Sequence, residues 1–229
     1  MPTRRSYGSY DDGCAAAHAL DLVGDRWALI VVRELVLGPK RFADLRSDIP
    51  GISPSVLAQR LRELEEVGVV VHDELPPPAR VNVYDLTPWG RQLEEVLQAL
   101  GRWGARSPRM PHHARVTDDT AILASRTMGA AAAEQATREL TVRLLLRARD
   151  GRDREYTLRL APGVCTVERA PAVGADATVR SDSGTWTDVL LHGLSADDAV
   201  ADGRMTVDGD RSALHDVVAA FPLLTDAHH

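Results

Sequence analysis

The sequence predicts an α+β protein built from two unlike halves. Three observations carry this. The stretch 51–70 reads as a turn, a capped helix, a glycine stop and the start of a strand. Apolar residues recur at helical spacing through most of the first half and change to strand-like alternation from residue 140. Between the halves, Arg106-Ser107-Pro108-Arg109-Met110-Pro111-His112-His113 has the composition of a linker. The expected division is residues 1–106, a linker at 107–118, and residues 119–229.

Asp25 is a candidate N-cap for a helix over 26–37, with Trp27, Ile30, Val31 and Leu35 on one face and Gly38-Pro39 as the stop. A short helix over 41–47 sets Phe42 and Leu45 at i, i+3. After the turn 48–51, Ser53 caps the next helix and Pro54 suits its first position. Leu57, Leu61 and Leu64 make one apolar stripe along it. Gly68 ends it. Strands at 69–73 and 80–86 flank a proline-stiffened link, 74–79, which reads as a hairpin wing with Arg80 near its tip. Thr87-Pro88 opens a helix expected to bury Leu93, Val96 or Leu97, Leu100 and Trp103.

In the second half a helix runs from 119 to about 128, with the alanine run 130–133 as an extension or a loose turn. Strands are expected at 140–147, 155–160, 164–169 and 175–180, separated by Asp150-Gly151, Pro162-Gly163 and Gly174. A helix at 184–191, a short helix from 196, a strand at 204–207 and a closing helix over 212–221 complete a mostly antiparallel sheet domain.

A short helix with polar and Arg residues on its outer face fits a DNA major groove. Ser53, Ser55, Val56, Gln59 and Arg60 are the candidate groove-facing residues. Gln pairs with adenine and Arg with guanine; the competing reading is a solvated helix face. Arg62 either meets a phosphate or pairs with Glu66 at i+4. Arg80 in the wing is a candidate phosphate or minor-groove contact, and Lys40 with Arg41, ahead of the 41–47 helix, are candidate backbone-phosphate contacts.

Seven ordered blocks of this half resemble the HxlR family of bacterial winged helix-turn-helix regulators. They are Cys14, Leu22-Val23-Gly24-Asp25-Arg26-Trp27-Ala28-Leu29-Ile30, Arg41-Phe42-Ala43-Asp44-Leu45, and Ile49-Pro50-Gly51-Ile52-Ser53. The others are the 57–65 helix, Tyr84-Asp85-Leu86-Thr87-Pro88-Trp89-Gly90, and Leu100-Gly101-Arg102-Trp103-Gly104. The resemblance covers residues 8–106. It implies a homodimer built through the first and last helices of this half, with each recognition helix in a major groove of double-stranded DNA. It also implies that Cys14 can sense oxidants or electrophiles. That chemistry needs an accessible thiolate of lowered pKa. His18 at i+4 favours it, Asp11 and Asp12 oppose it, and no second cysteine lies in this half. A buried, inert Cys14 is the preferred reading.

Residues 140–221 resemble the sterol-carrier-protein-like domain. The matching blocks are Tyr156-Thr157-Leu158-Arg159-Leu160, Ala175-Asp176-Ala177-Thr178-Val179, the 185–193 segment, and Asp202-Gly203-Arg204-Met205-Thr206-Val207-Asp208-Gly209-Asp210. The resemblance implies an α/β sandwich around an apolar cavity that binds lipid-like ligands in some relatives, where a hydrophobic small-molecule effector could act. Trp186, Val189, Leu190, Met205, Val207, Val218 and Phe221 are the candidate lining; a filled core is the preferred reading, since interiors are close-packed.

Composition limits the alternatives. The net charge is −6, with 14 basic and 15 acidic residues in 1–110 and 13 and 18 in 111–229. The acidity is concentrated in the second half, which leaves a local basic patch for phosphate contacts in the first. No apolar run approaches the ~20 residues of a membrane helix, and there is no signal-peptide pattern, so a cytoplasmic protein is expected. Two distant cysteines have no metal-ligand spacing. His112-His113 and His228-His229 are weak metal candidates. No nucleotide loop, nucleophile elbow or zinc-protease helix is present, so no cofactor, metal or enzymatic activity is expected. The leading function is a sequence-specific DNA-binding transcriptional regulator. The alternative is a lipid-binding carrier that uses its first half only to dimerise.

Overall fold

The chain begins with helix α1 at Ala15–Val23, α2 at Ala28–Leu35, α3 at Phe42–Asp48 and α4 at Pro54–Glu66. Strands β1 (Val70–Glu74) and β2 (Asn82–Leu86) follow, then α5 (Pro88–Arg91) and α6 (Leu93–Gly104). This computed structural model describes residues 10, 12–75, 80–107, 116–147 and 151–224. It divides into two units, Met1–Leu97 and Gln98–His229. Residues 108–115 of that linker, the wing residues 76–79, and both histidine pairs lie outside the described residues.

The first unit closes around Val31, Val32 and Leu35 of α2, Leu45 of α3, and Leu57, Leu61 and Leu64 of α4, all fully buried. Each such side chain stabilises the fold by about 1.5–3 kcal/mol relative to exposure. The α4 boundaries match their signals. Ser53 Oγ accepts from Val56 N at 3.3 Å, Pro54 opens the helix, and Gly68 at φ +77° ends it. The start of α2 differs from expectation. Its N-cap is Trp27, at φ +81°, and Asp25 makes no cap there. The strands pair antiparallel from Val70↔Leu86 to Glu74↔Asn82. Lys40 adds a bridge to Tyr84 through both backbone hydrogen bonds, 3.0 and 2.8 Å, which ties the α2–α3 connection to the wing. Gly90 is obligatory, because a Cβ there would lie 2.1 Å from the Val69 carbonyl oxygen.

Helix α6 departs furthest from expectation. Val96, Leu100 and Trp103 are exposed, Trp103 at 76%, and no residue of α6 is buried. The helix is strongly amphipathic, and its apolar face is left uncovered at Val96, Leu100 and Trp103.

The second unit holds α7 (Asp118–Gln135), β3 (Leu140–Arg147), β4 (Asp153–Ala161), β5 (Val164–Glu168), β6 (Ala177–Asp182), α8 (Ser183–Leu191), α9 (Ala196–Ala201), β7 (Met205–Gly209) and α10 (Arg211–Ala220). The strand order is β5-β4-β3-β6-β7. All pairs are antiparallel except β3 with β6, which is parallel. The alanine run extends α7 to Gln135, as good helix formers do. Alternate residues Leu140, Val142, Leu144, Leu146, Tyr156, Leu158, Leu160 and Val179 are buried on one sheet face. Helices α7, α8 and α10 pack on the sheet. The other face carries cross-strand ion pairs, including Arg143–Glu155 at 2.7 Å and Arg180–Asp208 at 2.9 Å. Part of it lies under the β5–β6 connection, where Thr157 Oγ1 donates to the Ala170 carbonyl at 2.8 Å.

Candidate nucleic-acid interface

The outer face of α4 is the candidate site. At 100° per residue, Ser55, Gln59 and Glu66 point away from the Leu57/Leu61/Leu64 stripe, and Arg62 flanks them. Ser55, Gln59 and Arg62 are exposed, while Val56 is half-buried. Ser53 Oγ lies 3.1 Å from Ser55 Oγ, so the two hydroxyls form a polar entrance to the helix. Gln59 Nε2 donates to Glu63 Oε1 at 2.9 Å, which holds the amide along the helix face. Arg62 Nε donates to the Ala58 carbonyl at 3.3 Å and makes no ion pair with Glu66 among those described.

Two predicted contacts are corrected by the geometry. Arg60 does not face the groove side. It sits on the flank of the buried stripe, where its guanidinium pairs with Asp25 and, at 2.7 Å, with Glu63; its side chain is 16% exposed. The i, i+3 spacing to Glu63 was a usable signal for this. The partner at Asp25, 35 residues away, was not. Lys40 is also withdrawn from the surface. Its Nζ donates to Glu34 Oε2 and Asp48 Oδ2, both at 2.8 Å, and the residue is 7% exposed. Glu34 is fully buried on α2. A buried carboxylate without a counter-charge is costly, so the lysine is held inward. Neither Glu34 nor Asp48 stood out as a lysine partner from sequence alone.

The remaining basic candidates stay on the surface. Arg41, the N-cap residue of α3, is exposed and its side chain makes no cap bond. Arg46, on the same helix, is exposed too. Arg80 is exposed at φ +40° beside the wing. His72 and Tyr84 stack across β1 and β2 with ring centroids 4.6 Å apart, which stiffens the wing.

Cys14 is exposed, against the expectation of burial. Backbone N–H groups of Ala17 and Ala16 at the start of α1 lower its pKa. Cys165 is half-buried, and burial pushes its thiol up to about 11. In the second unit, Trp186, Val189, Leu190, Met205 and Phe221 are buried, while Val207 and Val218 are half-buried. Trp186 Nε1 donates to Ser125 Oγ at 3.3 Å, which satisfies the indole inside the packed layer.

The geometry of α2 to β2 is a helix-turn-helix with a hairpin. Residues 22–110 match the family described as HxlR-like helix-turn-helix. Relatives include the "Uncharacterized HTH-type transcriptional regulator sll1512" of Synechocystis sp., 39% identical over 40% of this chain and 68% of its own length. The HTH-type transcriptional regulator YodB of Bacillus subtilis is 39% identical over 37% of this chain and 76% of its own. This chain belongs to the HxlR-like helix-turn-helix family. A structure described as the reduced form of YodB from B. subtilis is 36% identical, covers 41% of this chain and 92% of that one, and has a TM-score of 0.37. Residues 110–225, about half of the chain, belong to the family described as alkyl sulfatase C-terminal. That match marks the second half as a distinct C-terminal domain. The HxlR-type relatives are named as transcriptional regulators, and no helix among the described residues is long and apolar enough to cross a membrane.

Proposed function

We propose that this chain is a sequence-specific DNA-binding transcriptional regulator that works as a homodimer on a pseudo-palindromic operator. The observation that carries the reading is the outer face of α4, where Ser55, Gln59 and Arg62 are exposed opposite a fully buried leucine stripe. Gln59 is the best-placed base reader, since an amide pairs bidentately with adenine N6 and N7. Ser53 and Ser55 contact the groove near the helix start, and Arg62, Arg41 and Arg80 meet phosphates. Arg60 instead holds α4 to the α1–α2 turn through Asp25.

Dimerisation is supported by the uncovered apolar side chains. Leu20 of α1, Trp89 of α5, and Val96, Leu100 and Trp103 of α6 are exposed in the single chain. A groove of about 310 Å3 between α1 and the α5–α6 segment is lined by Leu22, Val23, Trp89, Leu93 and Val96. A second copy covering these faces completes the burial that the sequence pattern calls for.

The carrier alternative has less support. Most of its proposed lining is closed into the core, and of those seven residues only Met205 lines a described cleft. Control through the Cys14 thiol is supported by its exposure and lowered pKa. A peroxide-type oxidant would take the thiolate to a sulfenic acid, and a second thiol condensing with it would give a disulfide and water.

The test is footprinting of the full chain on its own upstream DNA. Two protected major-groove patches about 10 base pairs apart, or a multiple of that, are expected. Uniform weak protection along the fragment, with no paired half-sites on upstream DNA or on selected random sequence, contradicts the reading.

A further inference from the structure

We propose that a cleft on the polar face of the five-stranded sheet binds a small ligand carrying two or more oxyanion groups, of the polycarboxylate or phosphate class. The cleft has a volume of about 370 Å3 and lies where the ends of β3 and β6 meet the start of β7. Arg147, Arg180 and Arg204 all line it, together with the apolar side chains of Leu145 and Met205.

The register brings the three arginines together. Leu145 pairs with Arg180, and Arg147 pairs with Asp182, across the parallel β3–β6 ladder. Arg180 pairs with Thr206 on β7, and Arg204, one residue before β7 begins, lines the same cleft. One small polyanion can therefore engage more than one guanidinium.

Their present partners are weak competitors. Arg180 pairs with Asp208 and Arg204 with Asp202, both at 2.9 Å, and those carboxylates are 71% and 62% exposed. Exposed pairs of this kind contribute little. Arg147 reaches Asp153 only through Nε, at 3.2 Å. Asp182 also lines the cleft, but its carboxylate accepts from Thr185 N at 2.9 Å and Thr185 Oγ1 at 2.7 Å and is committed to capping α8. Three guanidiniums line the cleft, beside Asp153 and the committed Asp182 in the lining and the exposed Asp202 and Asp208 next to it, so a ligand must displace exposed ion pairs to engage them.

Guanidinium forks match carboxylate and phosphate oxygens bidentately. The cleft falls in the size range of small-molecule sites. Asp202 and Asp208 at its margin repel an extended polyanion, which favours a small ligand over a nucleic-acid backbone. Binding here does not depend on whether α4 reads DNA.

The experiment is calorimetric titration of the full chain with citrate and with inorganic phosphate, using glycerol as the uncharged control. Saturable binding of citrate at one site per chain is expected, with phosphate weaker and glycerol silent. Arg180→Gln and Arg204→Gln should each weaken citrate at least tenfold. Arg159→Gln, on the same sheet but outside the cleft lining, should leave it unchanged. Circular dichroism melts confirm that each variant is folded. Absence of saturable binding, or equal loss in all three variants, overturns the proposal. So does loss of DNA affinity in Arg180→Gln with no citrate binding in the wild type, which would assign the arginines to a nucleic-acid backbone.

Discussion

Replacing Lys40 by Met should destabilise the protein without changing what it recognises. Lys40 Nζ bridges Glu34 and Asp48 at 2.8 Å each, and Glu34 has no solvent exposure. Methionine keeps most of the side-chain volume and removes the charge. Removing one partner from a buried pair costs about 3–5 kcal/mol. The lower end applies here for two reasons. Glu34 Oε1 still accepts from Arg33 at 2.6 Å, and the Asp48 side chain is 12% exposed, so water can reach it. A loss of about 3 kcal/mol lowers the melting temperature by roughly 6–12 °C in a chain of this size. Thermal unfolding followed by circular dichroism, paired with a salt titration of DNA affinity, reads both consequences. If Lys40→Met melts within 2 °C of the wild type and its salt slope falls by about 0.9, Lys40 contacts a phosphate and the buried-triad reasoning is refuted.

Three further outcomes follow from the same geometry. Gln59→Ala should lose about 1–3 kcal/mol of base discrimination at one position per half-site, whereas Arg60→Ala should lower the urea midpoint and leave base preference unchanged; equilibrium unfolding and binding to operator variants separate the two. Asp182→Ala should cost about 1 kcal/mol at pH 7 by removing the α8 cap. Burial raises the Asp182 pKa, but hydrogen bonds from Thr185 and Gly184 outweigh it and hold it below its ordinary value. Its stabilisation is therefore present above the unfolded aspartate pKa and is lost as pH falls through the depressed folded value, so the gap between wild type and variant should close in acid; a gap that widens as pH falls refutes the linkage. Leu100→Asp or Trp103→Asp should shift sedimentation from dimer toward monomer, and an unchanged dimer would place the interface elsewhere.

How much was legible depended on how local the signal was. Ser53-Pro54 and Gly68 act within a few residues, and they bound α4 where expected. Thr87-Pro88 and the Leu140–Arg147 strand behave the same way. The start of α2 was misplaced because Trp27 caps from a left-handed backbone, which no propensity favours in a tryptophan. Strand β6 starts at Ala177 rather than 175, and Asp176 just before it is tied to Thr141 of β3 through both its backbone N–H and its carboxylate. The parallel β3–β6 pairing was missed because turn signals mark where strands end, not which strand each one joins. At the site, Ser55 and Gln59 follow from helical periodicity alone. Arg60 and Lys40 were misread because their side chains are directed by Asp25, Glu34 and Asp48, residues brought near only by folding. Trp103 and Leu100 were expected to be buried, in the core or in a dimer interface, because a period reports that a face is apolar, without saying which chain covers it.

The central claim is that α4 reads DNA sequence through its exposed face. The most direct measurement is competitive binding of the full chain to its own upstream DNA against scrambled DNA at physiological salt, for the wild type and Gln59→Ala. Strong preference is expected for the wild type, reduced about 5- to 160-fold in a folded Gln59→Ala variant. Full discrimination retained by Gln59→Ala contradicts that claim.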